Sequence, residues 1–320
     1  MPFIRRLVGA AFGTLCLAAA AHAQTPGACS TRDRCLDAIM DAARDGRQLD
    51  EMALMRALPR VYGTRPAPSD TMAAAAARSD GMLTAGEPDP VLAAFQNDPK
   101  WLGLPATERQ RALARAYLQA NQPAQAELEL EELIANQPSH APYWLDLAEV
   151  YAHRGRRDEA AAALVVATDW TASADALRQS YAQAAQRNSG NGVPYAQALQ
   201  LLAARTAALA QRQAALAPTP LTKGADGKFA AMPVMLFDTC IRPSYPRSSL
   251  RNEETGAVTL EFLVDTEGKP VQIRKVRSSG HAALDNETLL SLSACSFKPL
   301  AVDGKPAAAW ATVQYVWTLE

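Results

Sequence analysis

The 320-residue chain contains no apolar run that reaches the roughly 18 residues of a membrane-spanning helix, which points away from an ordinary integral membrane protein. It has little net charge, 32 Lys and Arg against 33 Asp and Glu, so no global field directs it to nucleic acid or to an acidic surface. It has only four histidines, and no second close Cys/His pair stands at zinc spacing, which leaves no metal site to expect. P-loop, His-Glu-x-x-His and glycine-rich nucleotide fingerprints are missing as well. The expectation is a protein that is not an enzyme and carries no cofactor. What is present, 48% hydrophobic and 20% charged residues, is an ordinary globular composition for about two domains.

Residues 1–23 have the three parts of a secretory signal: basic Arg5 and Arg6, an apolar stretch from Leu7 to Ala21, and the small-residue site Ala21-His22-Ala23. Cleavage before Gln24 and export are expected; the alternative is an uncleaved anchor over residues 7–21. Leu15, before Cys16, is too bulky for the small position of a lipoprotein site, so Cys16 leaves with the signal. The formal charge then moves from −1 to −3 and four cysteines remain, an even number suited to disulfides in an oxidising compartment.

Signals are weak over residues 24–89: the spaced Cys29 and Cys35, a helix expected around Leu49 to Leu58, then Pro66, Pro68 and an alanine run from Ala73 to Ala77. This part is expected to be loosely ordered. Over residues 90–216 the composition shifts to Ala, Leu, Glu, Gln and Arg with helical periodicity, broken at Pro105, Pro123, Pro138, Pro142 and Gly155. Residues 217–231, rich in Pro, Gly, Thr and Lys, read as a linker. Residues 232–320 change to a period of two.

The helical block repeats. Leu113, Ala114, Tyr117, Ala126 and Leu130 recur 34 residues later as Leu147, Ala148, Tyr151, Ala160 and Leu164. With Trp144, Gly155, Ala167 and Pro138 this pattern resembles the tetratricopeptide repeat. Small residues at Ala114/Ala126 and Ala148/Ala160 let paired helices approach, and Tyr117 and Tyr151 fill the space between units. From Ser173 the pattern fades, and a helix from Pro194 to Ala215 is expected to cap the stack. Tyr117, Trp144 and Tyr151 are expected to pack rather than bind, His140 and His153 to be solvated. The resemblance implies a scaffold for a second protein or peptide.

In the last segment, Val258, Leu260, Phe262 and Val264 alternate with Thr259 and Glu261 as a half-buried strand. Asp265-Thr266-Glu267-Gly268 supplies a hairpin loop, Val271 to Arg277 the return strand, and Leu284 to Ala294 a helix. The run from Trp310 to Leu319 alternates again, with Val313, Tyr315, Trp317 and Leu319 expected inside. The expected fold class is α+β, all-α helical repeats followed by a small ββαβ domain. Ser279, His281 and Asp285 lie close together, but three residues entering one helix do not build a catalytic cleft.

Arg242-Pro243-Ser244-Tyr245-Pro246, Gly256-Ala257-Val258, Ser278-Ser279-Gly280, Leu284-Asp285, Phe297-Lys298-Pro299, Asp303-Gly304-Lys305-Pro306 and Tyr315-Val316-Trp317 follow one another in an order that resembles the C-terminal domain of the TonB family of energy transducers. That resemblance implies binding of a partner by strand addition to the last strand, the partners being TonB-dependent outer-membrane receptors. The candidate partner-binding residues are Arg242, Pro243, Trp310, Thr312, Gln314, Val316 and Thr318, whereas Tyr245, Tyr315 and Trp317 are expected to pack the core. Arg242 stands where the family's transducers carry glutamine. Of the three pairings open to four cysteines, Cys240 with Cys295 would pin the incoming segment across the sheet and leave Cys29 with Cys35.

A periplasmic binding or adaptor protein is therefore the expectation. The alternatives are a TonB-type transducer anchored in the inner membrane by residues 7–21 and a structural protein of the cell envelope. N-terminal sequencing of the exported protein is expected to begin at Gln24; a start at Met1 in the inner-membrane fraction would favour the transducer.

Overall fold

In the computed structural model, residues 29, 32–62, 105–187, 192–221 and 231–319 are described. The signal with its cleavage site at Ala21-His22-Ala23, the run from Pro66 to Ala77 and linker residues 222–230 lie outside the described residues. The fold is α+β, helices first and a small strand-rich unit last.

Sequence signals within residues 24–89 are weak, yet two helices pack there: α1 (Arg32–Arg44) and α2 (Gln48–Tyr62), turned back on each other at Gly46. Leu36, Ile39 and Ala43 on α1, and Met52, Met55 and Leu58 on α2, recur every three or four residues and bury one stripe of each helix. A Cys29–Cys35 disulfide ties the approach to the first turn of α1.

Three helical hairpins follow: α3 (Ala106–Gln119) with α4 (Pro123–Asn136), α5 (Ala141–His153) with α6 (Arg157–Trp170), and α7 (Ala174–Gln186) with α8 (Tyr195–Leu216). Ala114, Ala126, Ala148 and Ala160 are buried where the helices approach, as are Tyr117, Trp144 and Tyr151. The Trp144 indole donates to the Pro138 carbonyl at 2.7 Å, which fixes the turn between the first two pairs. The 34-residue period also governs how helices end. Gly155 and Asn121 both take positive φ, 75° and 58°, and the next amide closes on the helix, Arg156 to Tyr151 and Gln122 to Tyr117, each at 2.8 Å. His140, expected in solvent, is half-buried at the N-cap position of α5 and its ring packs at a tilt on Tyr143 with centroids 4.2 Å apart.

The C-terminal unit contains the expected ββαβ core: β2 (Gly256–Val264), β3 (Pro270–Arg277), α10 (Ala282–Leu292) and β7 (Ala309–Trp317), in an antiparallel sheet of order β3-β2-β7. Four short strands were not legible in the alternation. β1 (Val234–Leu236) pairs with β4 (Ser296–Lys298), and β5 (Leu300–Val302) with β6 (Lys305–Ala307). Such brief ribbons are marginal alone. The β1–β4 ribbon is clamped by the Cys240–Cys295 disulfide, the pairing anticipated above, and a short helix, α9 (Arg247–Arg251), leads into β2. Gly268 in the β2–β3 loop, at φ 82°, accepts through its carbonyl from Phe297 N at 2.8 Å; a Cβ there would meet Phe297 O at 2.0 Å. Leu319, expected inside, lies beyond β7 and is exposed.

Two stability measurements check this architecture. Gly155→Ala introduces a Cβ that meets no neighbour, so only backbone strain remains, and a loss of about 1 kcal/mol in denaturant unfolding is expected. Replacing Cys240 and Cys295 together by serine opens a 55-residue loop and is expected to remove roughly 4 kcal/mol from the C-terminal unit.

Candidate functional site

Among the described residues, β7 is paired on one side only. Its register with β2 is unbroken from Gly256↔Trp317 to Val264↔Ala309, and its other edge is the end of the sheet. The alternation of strand side chains divides β7 into two sets. Ala309, Ala311 and Trp317 are buried beneath α10, with Val313 and Tyr315 beside them. Trp317 donates its indole N–H to Thr288 Oγ1 at 3.0 Å, and its ring meets those of Tyr245 and Tyr315, each with centroids 4.9 Å away. These three aromatics therefore anchor the strand to the core.

The other set faces away from the core. Thr312, Gln314 and Val316 are exposed, Val316 by 56%. Trp310 belongs to this face but is engaged across the sheet: the Arg274 guanidinium lies 4.1 Å over its ring and is itself held by Glu261. Thr318 is exposed just beyond the strand end. Arg242 is exposed and Pro243 half-buried in the segment that leads to Tyr245. Because Tyr245 meets Trp317 edge to face and donates to the Glu254 carbonyl, that segment is brought to the end of β7. A shallow depression lies alongside, between Thr255–Ala257 and Val316–Leu319.

Asp285, fully buried at the start of α10, organises the turn before it. Its carboxylate accepts from Ser278 Oγ at 2.6 Å, Ser279 N and Oγ at 2.8 Å, and Lys275 Nζ at 2.9 Å. Burial pulls this carboxyl upward, but the four donors outweigh it and hold it below its ordinary range. The His281 ring turns to Glu254, 3.6 Å away, rather than to Ser279. Ser279, His281 and Asp285 thus form a helix-start motif without the geometry of a triad.

The opposite sheet edge, β3, is covered by the protein itself. Gln48 Oε1, at the start of α2, accepts from Ile273 N at 3.1 Å. Further along α2, Arg56 donates to the Leu290 carbonyl at 2.8 Å and to Ser293 Oγ, at the end of α10. The repeats join the same assembly: Asn286 Nδ2 of α10 donates to the carbonyls of Ser139 at 2.8 Å and Trp170 at 3.0 Å. Sequence reasoning passed over Gln48, Arg56 and Asn286. Each is an ordinary polar residue on a helix, and only its long-range partner distinguishes it.

On the repeats, α1 and α2 pack against the second helices of the pairs, α4, α6 and α8. The first helices α3 and α5 are tied to each other by Arg111, which reaches Asp146 with two bonds of 2.5 and 3.2 Å.

With this geometry established, comparison with family models matches residues 241–319 to the Gram-negative bacterial TonB protein C-terminal and residues 107–150 to the tetratricopeptide repeat. The chain carries a TonB-type C-terminal domain preceded by tetratricopeptide-like repeats, two modules of protein association. Comparison with curated proteins and with solved structures gave no match.

Asp285→Ala is expected to destabilise the domain by about 3 kcal/mol, because Lys275 and two serines lose a buried acceptor. A carboxyl held low stabilises the fold above its ordinary range and ceases to do so as pH falls through its lowered value. Acid titration of wild type and variant, followed by circular dichroism, is expected to show the two stabilities converging at low pH.

Proposed function

We propose that this is a periplasmic adaptor which captures an extended segment of a partner protein along the outer edge of β7, while its helical repeats hold a second protein or peptide. The observation that carries the reading is the asymmetry of the sheet: α2 closes the β3 edge, and β7 ends the sheet with an exposed outward face. A strand edge of this kind offers backbone hydrogen bonds for affinity and alternate side chains for selectivity. Thr312, Gln314 and Val316 are the side chains beside an added strand, with Thr318, Arg242 and Pro243 at its end and Trp310 at its beginning. TonB-type domains belong to the cell envelope, and the two disulfides suit an oxidising compartment, which supports an exported location. Outer-membrane receptors of TonB-dependent uptake are the partner class that the domain implies.

The docking of the repeats supports an adaptor over a transducer. Asn286 and Arg56 fasten the C-terminal domain to the helical units, so its two binding surfaces are held at a set spacing rather than at the end of a long tether.

Fluorescence polarisation with peptides spanning the N-terminal boxes of the cell's outer-membrane receptors tests the reading. A binding peptide is expected to slow amide exchange across β7, and N-methylation of its alternate amides to weaken it about tenfold or more. Val316→Asp is expected to weaken binding similarly with an unchanged melting temperature, since the residue is exposed. Equal binding by the N-methylated peptide would exclude strand addition.

A further inference from the structure

Gln48 places a carbonyl oxygen 3.1 Å from Ile273 N, where the carbonyl of a neighbouring strand would otherwise stand. One turn further along α2, Glu51 reaches into the joint between α2, α6 and α8. It is 1% exposed and accepts the Trp170 indole N–H at 2.9 Å. Asp169 and Arg205 complete the cluster: Arg205, 6% exposed, hydrogen-bonds Asp169, while its other guanidinium nitrogen is 3.8 Å from Glu51. The Asp169 carboxylate adds its charge to the same buried joint and opposes ionisation of Glu51.

The joint thus holds two carboxyls and one guanidinium. With Asp169 paired to Arg205, a protonated Glu51 leaves the cluster neutral; an ionised Glu51 leaves a buried, uncompensated negative charge. The groups that face Glu51 are Asp169 and Trp170 of α6 and Arg205 of α8, with Arg178 of α7 acting on Asp169 from behind. α1, α4, α10 and β3, the other elements against α2, add no charge to that set. The same joint grips the α1–α2 turn: Arg212 donates to the Asp45 carbonyl at 2.7 Å, and the Arg205 stem lies against Gly46.

We propose that the Glu51–Asp169–Arg205 cluster is a proton-held latch that keeps α2 over β3, and that loss of the Glu51 proton frees the β3 edge as a second acceptor for an extended peptide strand. This edge is distinct from β7, on the other side of the sheet. Burial pushes the Glu51 carboxyl up to about 8, with Asp169 adding to the rise and Arg205 opposing it. A carboxyl raised in the folded state stabilises below its ordinary range, and that contribution is lost as pH rises through about 8.

Hydrogen–deuterium exchange on the full chain at pH 6 and pH 9, corrected for intrinsic exchange, reads the latch directly. Protection of Ile273 is expected to fall about a hundredfold between the two, roughly tenfold per pH unit up to the Glu51 titration near 8 and no further above it, while β7 protection stays constant. Glu51→Gln, which mimics the protonated acid and still accepts from Trp170, is expected to abolish the fall. Asp169→Asn leaves Glu51 alone with Arg205 and is expected to abolish it as well, so the test survives if either variant fails to fold. A short alternating Thr/Val peptide is expected to restore Ile273 protection at pH 9 and to have no effect at pH 6. Unchanged Ile273 protection in the wild type, an equal fall in β7, a wild-type fall in the folded variants, or no effect of the peptide at pH 9 would overturn the proposal.

Discussion

Trp170 donates its indole N–H to Glu51 of α2 and accepts through its carbonyl from Asn286 of α10, so one residue at the end of a repeat helix touches both neighbouring modules. The remaining geometry depends on that junction. A small three-stranded sheet gains a covered edge because α2 lies over β3, and α2 lies there because its inner face is bonded to α6 and α8. A buried indole or amide must find a partner or incur its desolvation cost, which gives these contacts their directionality. Apolar packing alone would bring the modules together without specifying which edge of the sheet is closed.

The asymmetry of the sheet follows. β2 pairs on both sides, β3 is shielded by a helix of the same chain, and β7 is rooted by Trp317, Tyr315 and Tyr245 while its outward residues face solvent. An exposed strand edge is a liability in a stable protein unless it is used, and here one of two edges is shielded while the other carries no further strand among the described residues. The repeats are more than a carrier for this domain, because their turns at Ser139 and Trp170 supply the carbonyls on which α10 docks.

Much of this was legible without coordinates. The 34-residue period gave the helix pairs and their alanine contacts because close approach of two helices demands small side chains at fixed spacing. The period-two run in β2 and β7 indicated their buried faces, and Ser278-Ser279-Gly280 with Asp285 marked a local turn whose bonds are all short-range. The first helical hairpin was harder. Of α1 and α2, only the stretch from Leu49 to Leu58 stood out, since α1 carries charged residues at Arg32, Asp33, Arg34 and Asp37 among its apolar stripe. The short strands β1, β4, β5 and β6 escaped notice because three residues cannot display an alternation.

The sequence by itself determined the local order: helix pairs wherever the apolar period is 34 residues long, strands wherever it is two, and turns at Gly155 and Gly268, because these depend on residues near one another in the chain. It also pointed to Cys240 and Cys295 as partners once their places beside the sheet were recognised. Only the tertiary structure decided which edge of the sheet remains open and which carboxyl is buried beside which guanidinium. Gln48 and Ile273 are 225 residues apart, and Glu51 and Trp170 are 119 apart. No periodicity reports a pairing over such distances; it is settled when whole helices pack and their buried polar groups must find one another.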